Sequence, residues 1–218
     1  MTTATATATP TIERSLEEDF AAPASREALE RAAASLSSHG FETVIVSDGA
    51  TARDFVLTQI PRGSEVHWGA GVTATEIGLA AALEVSPDVI ALRPRLSAMD
   101  RATQGDQMRK LGAAPDVFVN SANAVTEDGS IVSASASGSQ LGPIASGAGR
   151  VFFVIGAQKV VPDLATALRR IETHVVPLED ARALQAYGFH TSLNKILILH
   201  GERPGRITVV LVEEAIGF

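Results

Sequence analysis

The stretch that decides the fold is Thr43–Leu83, TVIVSDGATARDFVLTQIPRGSEVHWGAGVTATEIGLAAAL. TVIVS is a short β-branched run of the kind that forms a buried strand. Asp48–Ile60 reads as a helix that Pro61 stops, and EVHW is a second strand. A glycine-containing turn, Gly69–Gly71, then opens a second helix, Thr73–Leu83. Strand, helix, strand, helix at this spacing predicts an α/β domain with a largely parallel sheet.

The pattern continues on both sides. Ser25–His39 reads as a helix capped by Ser25 and ended by Gly40. Val89–Leu92 is a strand, Ser97–Leu111 a helix and Asp116–Val119 a strand. Asn123–Ser135 is a hairpin turning at Asp128-Gly129, and Ser139–Gly149 a short helix. Val151–Ile155 is a strongly apolar strand. Pro162–Ile171 is a helix with Leu164, Ala167, Leu168 and Ile171 in phase. Val175–Val176 reads as a strand and Glu179–Tyr187 as a helix. Lys195–His200 and Arg206–Val212 read as a closing strand pair across Pro204-Gly205. The hairpin and this pair make the expected sheet mixed, though largely parallel and flanked by helices. Residues 1–20 open on a Thr/Ala repeat and are expected to be disordered or loosely packed. Residues 21–218 carry no linker or repeat and read as one domain.

Composition narrows the function. A net charge of −7 argues against nucleic acid and anionic lipid as partners. No run is long and apolar enough for a membrane helix, and the N-terminus has no secretory pattern. The chain has no cysteine, which rules out disulfides and any Cys-held zinc or Fe–S cluster within it. That fits a reducing, cytoplasmic setting. The five histidines lack metal spacing, so no metal site is expected.

Four groups of residues can carry chemistry. In GAGVTATE, Gly69, Gly71, Thr73, Thr75 and Glu76 follow a strand and open a helix, where backbone amides can meet an anion. The same residues fit a tight turn, or a G-x-G-x-x-A dinucleotide fingerprint displaced to the second strand. In NAVTEDGS, Asn123, Thr126, Asp128 and Gly129 frame Glu127. Its carboxylate is either a solvated turn residue or a base or nucleophile, if the turn overhangs a pocket. Ser137, Gly138, Ser139 and Gln140 belong to a small-residue tract, Ser133–Gly149, which is long for a structureless loop unless it has a function. Lys159 and Lys195 are either anion ligands or solvated strand ends.

Six blocks then carry a resemblance: NAVTEDGS, SGSQLGP, VFFVIGAQKVVPDLATALRRI, PLEDARA, SLNKIL and RITVVLVEEAIGF. In this order they resemble the LUD (lactate-utilization) domain family, and within it the C-type lactate-utilization proteins. The resemblance runs from about Glu65 to Phe218 and more weakly back to about Ser25. It implies a fold similar to the sugar-phosphate isomerase and CoA-transferase group. It also implies a place among proteins needed for L-lactate oxidation to pyruvate, whose partner proteins carry the Fe–S clusters. On that likeness GAGVTATE corresponds to a phosphate- or CoA-type loop, and Glu127 to a catalytic carboxylate. Many relatives have an Asp-Gly-Thr-Gly-Asn-Arg type run where this chain has Ser133–Gln140, so the pocket here lacks an Asp and an Arg. The expected ligand is a small anionic molecule, with CoA, phosphate or a nucleotide as candidates, and no cofactor is held by the chain itself. Two other roles stay open: a non-catalytic subunit docking onto Fe–S partners, and an acyl- or CoA-transferring enzyme using Glu127.

Overall fold

The computed structural model describes residues 19–218. Most of the segment read as disordered or loosely packed, residues 1–18, therefore lies outside the described residues; of its last two, Phe20 packs against a small apolar cluster.

Six strands form a parallel sheet: β1 (Glu42–Val46), β2 (Glu65–Trp68), β3 (Ile90–Ala91), β4 (Val117–Asn120), β7 (Arg150–Gly156) and β10 (Ile207–Val212). Their spatial order is β1-β10-β7-β4-β2-β3, and every pairing in it is parallel. A second sheet has the order β8-β5-β6-β9. It consists of β5 (Ala124–Thr126), β6 (Ile131–Ser135), β8 (Val160–Val161) and β9 (Lys195–Leu199). There β5 runs antiparallel to β6 and parallel to β8, and β6 runs antiparallel to β9.

Alternation along β7 shows why the large sheet is apolar on both faces. Val151, Phe153 and Ile155 join helix α1 (Arg26–Ser38) and the small sheet in one core. Phe152 and Val154 face the other way, toward α2 (Gly49–Gln59) and α4 (Leu79–Val85). Buried aliphatic and aromatic side chains contribute about 1.5–3 kcal/mol each, so this three-layer sandwich is the main source of stability.

Several sequence expectations are corrected. The helix read over Thr73–Leu83 divides into α3 (Val72–Glu76) and α4, because the chain turns left-handed at Gly78. The helix read over Ser97–Leu111 is α6 (Arg101–Ala113), capped by Asp100, and a separate short helix that the sequence did not suggest, α5 (Leu92–Ser97), precedes it. Val175–Val176 is not a strand. α7 (Leu164–Arg170) continues through a π-turn, Ile171–Val175, into α8 (Val176–Tyr187). Pro177 near the start of α8 lacks an N–H, and the wider turn accommodates that gap. The last two strands do not pair with each other. β9 is an edge of the small sheet, while β10 is inserted between β1 and β7 of the large one. A run as apolar as ITVVLV, buried at every position, belongs inside a parallel sheet and not at a hairpin edge.

Candidate functional site

In an open parallel sheet, ligands gather at the carboxyl ends of the strands, where neighbouring connections leave in opposite directions. Here that point lies between β2 and β4. β2 leads outward to β3, while β4 leads back to its neighbour β7. The turns after these strands converge: Gly69–Gly71 after β2, Ser121–Asn123 after β4, and a 3-10 turn, Ala157–Lys159, after β7.

Lys159 lies at the centre of this convergence. It is 1% exposed. Its Nζ donates to Thr73 Oγ1 at 3.0 Å and to Ser121 Oγ at 3.0 Å. Burial pushes its pKa down to about 7, the nearby Arg170 guanidinium adds to the effect, and Glu76 opposes it. Both hydrogen-bond partners are neutral, so only the weaker pull of Glu76, which is not hydrogen-bonded to the amine, offsets the desolvation.

Arg170 braces the site from behind. It is 0% exposed. Its Nε donates to the Gln158 carbonyl at 3.2 Å, one Nη to the Asn123 carbonyl at 2.6 Å and the other to the Phe20 carbonyl at 3.4 Å. The guanidinium thus ties the turn after β4 to the turn after β7. Burial lowers its pKa to about 10.

The segment after β10 closes the top. The Gln158 amide donates to the Ile216 and Gly217 carbonyls, both at 2.9 Å, and Gln158 Oε1 accepts from Ile216 N at 3.3 Å. Gly217 N donates to Glu76 Oε2 at 2.7 Å. Gly217 has φ +63°, and a Cβ there would collide with Thr73 Oγ1 and approach Lys159 Nζ to 3.0 Å. Only glycine can lie this close to the amine. Beside this strap opens a cleft of about 690 Å³ lined by Asp48, Gly49, Glu76, Glu214 and Ile216. Glu214 accepts from Gly49 N at 3.0 Å, at the start of α2.

Of the residues singled out in the sequence, the structure gathers Gly69, Thr73, Glu76 and Lys159. Gly69 faces the Asn120 amide with no room for a side chain. Gly71 caps α3 and is open, and Thr75 is exposed. Asn123 reaches the site through its backbone carbonyl, while its side chain accepts from Ala134 N at 2.6 Å. Ser137, Gly138, Ser139 and Gln140 bond one another, Ser135 and the Ala134 carbonyl.

The turn around Glu127 lies elsewhere. Gly129 packs on Ser35, Leu36 and His39, at the end of α1 that leads into the amino end of β1. The site is at the carboxyl ends of the same parallel sheet. Glu127 pairs with Arg31 Nε at 2.6 Å. Thr126 Oγ1 bonds Asp128 and accepts from Ser130 N at 2.9 Å, which fixes the turn. Among the described residues no group of three or more His, Asp or Glu side chains is placed to hold a metal ion. No helix of the described residues is long and apolar enough to cross a membrane.

Sequence reasoning missed Ser121, Gln158, Arg170 and Gly217. Arg170 had one available signal: it lies four residues after Thr166, and 166, 167 and 170 form the face that α7 actually buries.

Comparison with known proteins now fixes the family. The model of the LUD domain family matches residues 29–214. The chain belongs to the LUD domain family. Among solved structures this LUD domain is similar to a DUF162 family protein from Deinococcus radiodurans. The two share 15% identity at a TM-score of 0.50, over 87% of this chain and 99% of that one. That likeness bears on the α/β fold alone. No match was found among curated protein sequences. The dinucleotide reading of Gly69–Ala74 loses its structural context in this LUD domain: α3 has 5 residues, and its loop does not follow the first strand.

Proposed function

We propose that this LUD domain serves lactate utilization by holding a small anionic metabolite against Lys159, between the turns after β2 and β4. One observation carries the reading: a buried primary amine at the strand ends whose hydrogen bonds go to two hydroxyls and to no acid. A buried ammonium without a counter-ion costs several kcal/mol, and an anion beside it removes that cost. The amine then takes up a proton as the anion binds, so affinity falls as pH rises above about 7. With no cysteine in the chain, electron transfer through Fe–S clusters is left to partner proteins.

Thermal-shift titration with L-lactate, pyruvate, phosphate and CoA at pH 6 and pH 8 tests this. The expected result is stabilisation by one of these anions, larger at pH 6 and absent in Lys159→Met. Equal shifts in wild type and Lys159→Met would sink the reading. Unimpaired growth on L-lactate after deletion of the gene would sink the lactate assignment.

One observation favours a second role, a docking subunit. Leu184, Tyr187 and Phe189 are 47%, 52% and 63% exposed along and just beyond α8, and the two rings stack at 5.7 Å. Apolar side chains grouped in this way suit contact with another protein. Growth on L-lactate that survives Lys159→Met but fails with Tyr187→Asp and Phe189→Asp would favour docking over ligand binding. The acyl- or CoA-transfer reading would need Glu127 to reach the ligand, and its pairing with Arg31 gives it no support.

A further inference from the structure

Of the 18 cationic side chains, only Lys110, Lys159 and Lys195 are lysines. Lys110 and Lys195 are exposed, and Lys159 is buried. Arg170, buried behind it, shows that this interior accepts a guanidinium. A guanidinium stays protonated and is a poor nucleophile; an amine can shed its proton and attack carbon. The Lys159 amine meets two hydroxyl oxygens at 3.0 Å. The charged groups that face it are Arg170 from α7 and Glu76 from α3, and one Glu76 oxygen is engaged by Gly217 N.

We propose that Lys159 is a nucleophile that forms an imine with a small 2-oxo acid, an inference that rests on the anion reading above for its substrate class. The fraction of Nζ that stays neutral with the acid bound attacks the carbonyl carbon. An N–C bond forms, the C–O π pair moves to oxygen, and a proton passes from nitrogen to that oxygen through the Thr73 or Ser121 hydroxyl. In the second stage the C–O bond breaks, nitrogen gives up its second proton, and C=N forms. The carbonyl oxygen and the two amine protons leave as one water, so no oxidant or reductant is consumed. Desolvation beside a second cation is the setting that activates lysines for this chemistry, and the downward-shifted pKa of Lys159 is consistent with it. Gly217 lies over the amine and is held by the Gln158 amide, so the carbonyl enters when that clasp opens.

The test is reductive trapping of the full chain with glyoxylate and sodium cyanoborohydride at pH 7, followed by peptide mass mapping. Lys110 and Lys195 serve as internal references, so the result does not depend on a variant folding. The expected result is an adduct on Lys159 at least about 10-fold above either reference, because burial against two neutral hydroxyls disfavours the ammonium, and faster still in Gln158→Ala. No adduct at Lys159 in either protein, or one no larger than at Lys110 and Lys195, overturns the inference. A glyoxylate-dependent thermal shift lost in Lys159→Met, with no adduct, overturns imine formation and leaves the anion reading standing. An adduct from acetaldehyde but not from glyoxylate overturns the anion reading from which the substrate class comes.

Discussion

The two ends of the large sheet hold the two charged residues that the sequence made most interesting, and they use them in opposite ways. At the amino end, Glu127 pairs with Arg31 beside solvent, and Thr126, Asp128 and Ser130 fix its turn. Its charge is spent locally. At the carboxyl end, Lys159 is enclosed and its partners are neutral. An opposite charge in contact makes a side chain chemically quiet. Burial without one leaves it poised.

The comparison can be broken at several points. The largest expected effect is from Arg170→Met at the carboxyl end. It leaves three carbonyls without their donor and should cost about 3–5 kcal/mol in urea unfolding. A loss under about 1 kcal/mol would mean that Arg170 does not brace the turns.

Lys159→Met should have the opposite sign. Between pH 7 and 10.5 the folded chain holds fewer protons at Lys159 than the unfolded chain does. Raising pH across that window therefore stabilises the wild type. The variant should be more stable at pH 7, by about 1–3 kcal/mol, and its advantage should shrink toward pH 10.5. An advantage that grows with pH would show that Lys159 is held charged.

Gly129→Ala probes the quiet end. Gly129 has φ +88°, and a Cβ there would stand 2.8 Å from the Ser35 backbone carbon. A cost of about 1–3 kcal/mol is expected, with anion-induced thermal shifts unchanged. The smallest effect belongs to Glu127→Ala, about 1 kcal/mol or less for a partly exposed pair. Loss of ligand response in that variant would erase the distinction between the two ends.

Most of the architecture was legible because it follows from local chemistry. Short β-branched runs between capped amphipathic helices specify parallel strands. The Gly69–Glu76 turn was legible as a glycine turn opening a helix, whereas Lys159 read as either an anion ligand or a solvated strand end, and its burial excludes the solvated reading. What stayed hidden depends on contacts distant in sequence. Nothing local in Lys195–His200 or Arg206–Val212 says that they enter different sheets. Ser121 is an ordinary loop serine until Lys159 arrives 38 residues later. Ile216 and Gly217 gain meaning only through Gln158 and Glu76, at separations of 58 and 141 residues. Glu127 drew attention by its place in the hairpin turn, yet that turn folds back along α1, away from the strand ends.

The 3-10 turn Ala157–Lys159 has one more consequence. It is the step by which the chain leaves β7 of the large sheet and enters β8 of the small one. Val161, two residues past the amine, accepts a hydrogen bond from Glu127 N at 2.9 Å. The amine is thus fixed to the seam between the sheets, as a rivet is fixed through two plates. On the anion reading proposed above, a ligand at Lys159 would tighten that seam, and slower amide exchange at Val160, Val161 and Glu127 would report occupancy from a distance.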